Sequence, residues 1–405
     1  MHGYFRKKSS LFLEHLEEKY FFSSLVYEKC LECEAEELWQ EVHKELRNLV
    51  RPVESNQKSH YCDYTWYARL VALEKHKDWL HKNWSKYSHF FADLIEVNAS
   101  KIKPRLELVE RQSQRNIFRI ARLFWSLPYS RGYGRRLEYL VWDDQNGKLI
   151  GILGLQSPPL SLPVRDKYYQ IPSERKINLV NQTMDAYTLG ALPPYNELLG
   201  GKLIVLAASS REIRKDYERR YKGRSTVMLK QVLPASLVAV TTLSAFGRSS
   251  IYNRVSKGKD GQQNLWAALS LGHCEGWGTL HFSDALYAKM KIFHKQLLPD
   301  KPVINFGTGP RIRLQVTKYV LSCLGLPGTL LRHNIKREVF VIPHVANLEA
   351  ILGGSRTKPI YNDQPFSQLA AFWKERYCLP RAETRCSIEG KQTIANALQL
   401  KTETL

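Results

Sequence analysis

Residues 185–254 constrain this chain more than any other stretch. They open on a short strand at 185–190, pass through a loop with paired prolines, Pro193 and Pro194, and paired glycines, Gly200 and Gly201, and enter an apolar helix at Leu203. Glycine has no Cβ and a helix N-terminus carries partial positive charge, so a glycine pair feeding a helix can bring backbone N–H groups to an anion. A basic helix follows, then a β-branched strand at 237–243. That strand leads into Gly247, Arg248, Ser249, Ser250, Tyr252, Asn253 and Arg254, polar and cationic where a buried strand would simply turn. Two hydroxyls, a cation and free backbone donors in such a turn can hold an anion. The expectation is that the two turns converge on one pocket built for negative charge.

Two resemblances rest on these residues. Pro194, Tyr195 and Asn196 with Leu199 to Leu203, then Ser209, Arg211, Glu212, Arg214, Thr241, Thr242, Ser244, Gly247 to Ser250, Tyr252 to Arg254, and Gly276, Gly278 and Thr279 resemble the DruA family of Druantia anti-phage defence systems. The match runs from about residue 135 to 282 and weakens on both sides. More distantly, the strand, glycine loop, helix, strand order is similar to the GNAT acyltransferase superfamily, and residues 247–252 resemble an element of the GNAT-like Mom enzymes that modify phage DNA bases. The first resemblance implies a role in defence alongside other Druantia proteins, one of them a large helicase. The second implies an acyl-coenzyme A-like donor, with Tyr195, Asn196, Gly200, Gly201, Lys202 and Ser249 as cofactor-binding candidates. Tyr252, where a tyrosine of that superfamily protonates a leaving thiolate, joins Arg248 and Asn253 as catalytic candidates. Glu197 departs from the pattern, since it puts a carboxylate where a phosphate partner belongs. A derivative that modifies a base, or one that only binds nucleic acid, therefore stands beside the acyltransferase.

Sixty Lys and Arg against thirty-nine acids leave a net charge of +21. Such an excess favours a polyanionic partner, with nucleic acid first. Cations concentrate on residues 211–224, where Arg214, Arg219 and Arg220 lie, and at Arg135, Arg136 and Arg254. Phosphate contacts dominate affinity for DNA, so these six are the nucleic-acid-binding candidates, with an ordinary solvated helix as the alternative for 211–222. Arg111, Arg115, Arg119 and Arg122 form a second ridge at near-helical spacing.

Seven scattered cysteines suit a reducing compartment. Cys30, Cys33, His60 and Cys62 offer thiolate and imidazole in numbers that suit zinc. The pair Cys30 and Cys33 falls within a helical pattern, so two thiols on a packed face are preferred and no metal is assigned. No apolar run approaches bilayer length and the first residues lack a secretory signal, so the chain is expected in the cytoplasm. Serine hydrolase, HExxH metalloprotease and Walker A patterns are absent from the sequence.

The expected fold is α+β, with a GNAT-like mixed, largely antiparallel sheet flanked by helices. Residues 1–95 read as a helical region, 96–300 as the central domain and 301–405 as an α+β extension. Within the first, the aromatic and cationic segment 61–91 reads either as a base-stacking surface or as the buried face of a helical layer. Residues 104–126 read as a helix and 137–155 as a hairpin turning at Asn146 and Gly147. A helix is expected at 174–184, a capping box at Ser209 and Glu212, a lysine-rich loop at 257–263 and one strand at 265–271. Arg165 and Asp166 read as a substrate-orienting pair or as an ion pair closing a loop. His273 and Cys274 alternate across a strand, which argues against nucleophilic pairing.

Overall fold

The computed structural model describes residues 24–49, 57–125, 134–226, 230–245, 249–260, 263–274, 277–279, 282–297, 310–332, 336–384 and 398. Two compact units emerge, one formed by residues 1–57 and 275–335, the other by 58–274 and 336–405. Among the described residues no helix is long and apolar enough to cross a membrane.

In the smaller unit, α1 (Ser24–Leu49) is one of three helices around an apolar cluster. Its Leu38 and Val42 pack with Leu286, Met290 and Phe293 of the helix Asp284–Leu297 and with Val316, Val320 and Leu321 of the helix Pro310–Cys323. Glu45 accepts the Ser283 N–H at 3.0 Å, and Glu41 pairs with Lys289. Cys33 is an exposed free thiol. The side chains of Cys30, His60 and Cys62 lie outside the described residues.

The larger unit is built on a seven-stranded sheet. After α2 (Gln57–Tyr87), the strands are β1 (Pro104–Leu108), β2 (Arg136–Asp143), β3 (Lys148–Gln156), β4 (Thr183–Ala191), β5 (Ala239–Leu243), β8 (Leu269–Cys274) and β9 (Arg337–Pro343), in the order β1-β2-β3-β4-β5-β9-β8. Every pairing is antiparallel except β4 with β5. A separate hairpin pairs β6 (Ser256–Asp260) with β7 (Gln263–Trp266). The fold is α+β, with a mostly antiparallel mixed sheet flanked by helices.

Period-two alternation sorts the strand side chains onto two faces. Tyr139, Val141, Met184, Val240, Phe340 and Ile342 meet the buried helix Gly200–Ala208 and the apolar faces of the helices Arg211–Tyr221 and Phe366–Trp373 on one face. On the other, Leu140, Trp142 and Ile152 pack with α2 and α3 (Gln112–Arg122), while Val339 and Val341 pack with Leu162, Leu179 and Ile351. Each fully buried aliphatic side chain contributes roughly 1.5–3 kcal/mol.

Several local expectations are corrected. Residues 104–126 divide into β1 and α3, because the alternation of 104–108 suits an edge strand and Gln114 Oε1 takes the N–H groups of Glu110 (2.9 Å) and Arg111 (2.8 Å) to start the helix afresh. The helix expected at 174–184 shrinks to Lys176–Val180, and β4 begins at Thr183. Lysine-rich 256–260 is a strand rather than a loop, and the single strand expected at 265–271 breaks at Ala267, whose N–H bonds the Val255 carbonyl at 2.7 Å. The capping box does not form: Ser209 Oγ donates back to Leu206 O at 2.8 Å, and Glu212 accepts the Phe366 N–H at 2.9 Å. The hairpin at 143–148 is as expected, with Gly147 at φ +71° and the Asn146 side chain accepting the Lys148 N–H at 3.0 Å.

Candidate functional site

Strands β4 and β5 run parallel over only three register pairs, Thr183 with Ala239, Met184 with Val240 and Asp185 with Thr241. Beyond them β4 continues to Ala191, whereas β5 ends at Leu243. Crevices outside the carboxyl ends of parallel strands are preferred ligand positions in open sheets. A cavity of about 130 Å³ lies at this end, lined by Gly190 and Ala191 of β4, Asn196, Leu199, Gly201 and Lys202 of the glycine loop, Ser250 and Ile251 of the turn after β5, and Trp125. The two turns singled out from sequence therefore meet.

How they meet differs from a simple anion cradle. Lys202 Nζ donates to the carbonyl oxygens of Ser250 (3.2 Å) and Asn253 (2.9 Å) and sits 5.3 Å from the Tyr377 ring centre. Burial pushes its pKa down. The cation is thus used in joining the loop to the turn. A Cβ on Gly201 would lie 3.3 Å from Ile251, and one on Gly200 only 2.6 Å from the Tyr195 carbonyl, so both glycines serve close packing. Leu199 at φ +57° turns the chain into the helix, its carbonyl accepting the Trp373 indole N–H at 3.0 Å.

The remaining cofactor candidates separate. Tyr195 is fully buried, its hydroxyl donating to Asp143 Oδ2 at 3.1 Å and accepting from Asn146 Nδ2 at 3.0 Å; burial drives its pKa up. Asn196 is exposed and lines the cavity. Ser249 anchors the turn, its Oγ accepting the Ile251 N–H at 3.3 Å and its carbonyl taking Asn253 Nδ2 at 2.7 Å. Of the catalytic candidates, Asn253 is that same turn clamp, Tyr252 is buried with its ring 4.9 Å from Phe340, and Arg248 lies outside the described residues. Burial raises the Tyr252 pKa, so the phenol holds its proton at neutral pH.

The six nucleic-acid candidates fall on different surroundings. The Arg135 guanidinium donates to the carbonyls of Asn181 and Thr183 and to the Tyr217 hydroxyl, and burial pushes its pKa down to about 10. Arg136 stacks 5.0 Å over Tyr187 and faces Glu138 at 3.9 Å. Arg214 pairs with Asp363 and covers the Tyr361 ring at 4.3 Å. Arg219 reaches Asp216 (2.9 Å) and, in the open, Glu110 (3.7 Å). Arg220 and Arg254 form no ion pair among the described residues, and Arg254 stands exposed at φ +55°. Arg165 is fully buried, gripping Asp166 at 2.6 Å and the carbonyls of Pro159 and Leu160 at 3.1 Å, which closes that loop.

A basic stripe lies on α2 and α3, within the cationic segment 61–91 and the arginine ridge read from the sequence. Trp79 and Trp84 of segment 61–91 are packed into the sheet-side cluster, and the Arg119 guanidinium covers Trp79 at 3.8 Å while meeting His76 Nδ1 at 3.0 Å. Lys75, Lys82 and Lys86 are exposed on one side of α2, at the i, i+7, i+11 spacing of a helical stripe. Arg115, exposed one turn before Arg119, extends it. The repeating lysines were legible; the inward turn of the tryptophans was needed to see which face remained outside. Trp125 and Ile251 were missed as cavity walls because apolar residues carry no mark distinguishing wall from core.

Comparison with known proteins covers most of the larger unit. The family model described as Druantia protein DruA matches residues 55–354. The Druantia protein DruA of Escherichia coli (strain UMEA 4076-1) is 38% identical over 317 residues, spanning 77% of this chain and 74% of the relative. No solved structure matches. With three quarters of both sequences aligned at that identity, this chain belongs to the DruA family.

Proposed function

We propose that this chain is a component of the Druantia anti-phage defence system that engages nucleic acid through a basic surface. Family membership supports the first half. The second half rests on the exposed stripe of Lys75, Lys82, Lys86 and Arg115, which forms no ion pair among the described residues in a chain of net charge +21. Arg220 and Arg254 extend the set, whereas Arg135 and Arg214 are held by internal partners. Because Trp79 and Trp84 are packed inward, the contact is to phosphate rather than by base stacking. Its partners in the cell are other Druantia proteins, a helicase among them. The test is binding to labelled single-stranded and duplex oligonucleotides across a salt series. The reading expects a steep salt dependence that flattens in Lys82→Glu with Arg115→Glu, and it fails if these substitutions leave binding unchanged.

One observation favours a second reading, a GNAT-like transferase acting on a base or another phage-derived target. It is the cavity at the carboxyl ends of β4 and β5 beside the start of the helix Gly200–Ala208. There Asn196, Ser250 and backbone N–H groups would meet only the phosphate end of an acyl-coenzyme A-like donor, since a cavity of about 130 Å³ is smaller than a ligand cleft and Lys202 is engaged with two carbonyls. Tyr252 follows the cavity wall Ile251 in sequence but is itself buried against Phe340, so it would have to turn toward the cavity to give a proton to a leaving group. Mass analysis of small molecules retained by the purified protein tests this directly. A donor retained by the native chain and lost in Gly201→Leu supports transfer, and none retained by either argues for binding alone.

A further inference from the structure

The free edge of β1 points to a second interaction site. Backbone bonds run from Val109 N to Glu138 O (2.8 Å) and from Asp144 N to Lys103 O (2.9 Å), with no register shift between β1 and β2. Residues 103, 105, 107 and 109 therefore direct their N–H and C=O groups at β2, and by the antiparallel alternation Leu106 and Leu108 direct theirs outward. Neither outward pair has a backbone partner among the described residues. Unpaired strand edges are templates for another extended segment.

These groups open onto a groove of about 550 Å³, in the size range of ligand clefts. One wall is Leu106, Glu107 and Leu108 with Glu110, Arg111 and Gln114; the other is Glu212, Lys215 and Asp216 of the helix Arg211–Tyr221. Its walls carry four carboxylates and two cations, and Arg219, 2.9 Å from Asp216, brings a third cation, which still leaves a small acidic excess where the whole chain is strongly basic. Glu107 is committed to the Trp142 indole N–H at 2.6 Å, but Glu110 is 62% exposed, with Arg219 3.7 Å away. We propose that this groove docks an extended, lysine- or arginine-bearing segment of a protein partner, which adds to the β1 edge through the Leu106 and Leu108 backbone and sets its cations against the groove carboxylates.

Leu106→Pro tests the backbone half, because it deletes an N–H that bonds nothing within the sheet, a position where an edge strand tolerates proline. The probe is a fluorescein-labelled peptide of three Lys-Val repeats, titrated into the full chain with Leu106→Ala as the control. Leu106→Pro should weaken binding about tenfold while Leu106→Ala stays close to the native chain. Glu110→Lys, whose side chain is exposed, should weaken this peptide and strengthen its Glu-Val counterpart. Amide exchange at Leu106 and Leu108 should be fast in the free chain and slow with peptide. Equal binding by the native chain and Leu106→Pro, or slow exchange at both amides before peptide is added, overturns the proposal; the latter means that a segment of this chain already occupies the edge.

Discussion

Lys202 Nζ lies 2.9 Å from the carbonyl oxygen of Asn253, so the helix that follows the glycine loop is tied to the turn that follows β5 by one ammonium group. The turn has its own internal clamp, since Asn253 returns Nδ2 to the Ser249 carbonyl at 2.7 Å. A third support is Tyr377, whose hydroxyl accepts the Ser256 N–H at 2.8 Å and donates to the Arg254 carbonyl at 3.2 Å while its ring lies against Lys202. The cavity mouth is held by polar bonds rather than by apolar packing alone.

Lys202→Met should therefore loosen the turn while leaving the sheet intact. Two carbonyls lose a charged donor, a loss of about 2 kcal/mol. Urea unfolding should report that loss, and limited proteolysis should cut within 249–254 faster than in the native chain. A variant as stable and as resistant as the native chain would mean the ammonium contributes nothing to the link.

Adjacent glycines give a sharper contrast. In Gly200→Ala the new methyl meets the Tyr195 carbonyl at 2.6 Å, a backbone atom that cannot move aside without displacing the buried Tyr195. In Gly201→Ala it meets Ile251 side-chain atoms at 3.3–3.6 Å, which can give by a few tenths of an ångström. The first should cost about 1–3 kcal/mol as overpacking, and the second should stay within about 1 kcal/mol of native, since alanine favours the helix. Thermal melts of the two variants decide the order.

Much of the sheet was legible because its strands carry their own signals: the 137–155 hairpin and the strand into the glycine loop read correctly from alternation and turn residues, and the β-branched strand expected at 237–243 forms at 239–243. β1 was not, because Arg105 and Glu107 resemble the charged face of a helix as much as the rim of an edge strand. The cluster joining Leu38 and Val42 to Phe282, Val316 and Leu324 pairs residues more than 230 positions apart, which local patterning does not reach. At the site, the meeting of the two turns followed from their positions at neighbouring strand ends. The internal use of Lys202 and Arg135 did not, since a sequence displays a cation but not the carbonyls it faces.

That distinction predicts opposite behaviour for two arginines. Arg135→Met leaves the Asn181 and Thr183 carbonyls and the Tyr217 hydroxyl without their guanidinium, and should lower stability by about 2–3 kcal/mol. Arg115 is exposed and forms no ion pair among the described residues, so Arg115→Glu should change stability by less than about 0.5 kcal/mol. If the stripe contacts phosphate, Arg115→Glu should also reduce the slope of log affinity against log salt by about one. Paired unfolding and salt-titration measurements on both variants separate the structural arginine from the contacting one.

His344 provides the pH-dependent counterpart. Its ring is 1% exposed, hydrogen-bonds the Ala208 backbone and has Lys257 and Arg214 near enough to oppose a positive charge; burial first, then those cations, push its pKa down to about 3. With the unfolded value at 6.5, the unfolded chain binds the extra proton between these limits, so stability falls as pH drops below 6.5. The slope approaches about 1.4 kcal/mol per pH unit, or about 2 kcal/mol by pH 5. Asp185 and Asp216, whose pKa values burial raises, act in the opposite sense, because acidification relieves the cost of their buried charge. The difference between the native chain and His344→Gln isolates the imidazole: urea midpoints measured at pH 7.5 and 5 should converge in the variant and separate in the native protein. Equal shifts in both would place the acid sensitivity of this fold elsewhere.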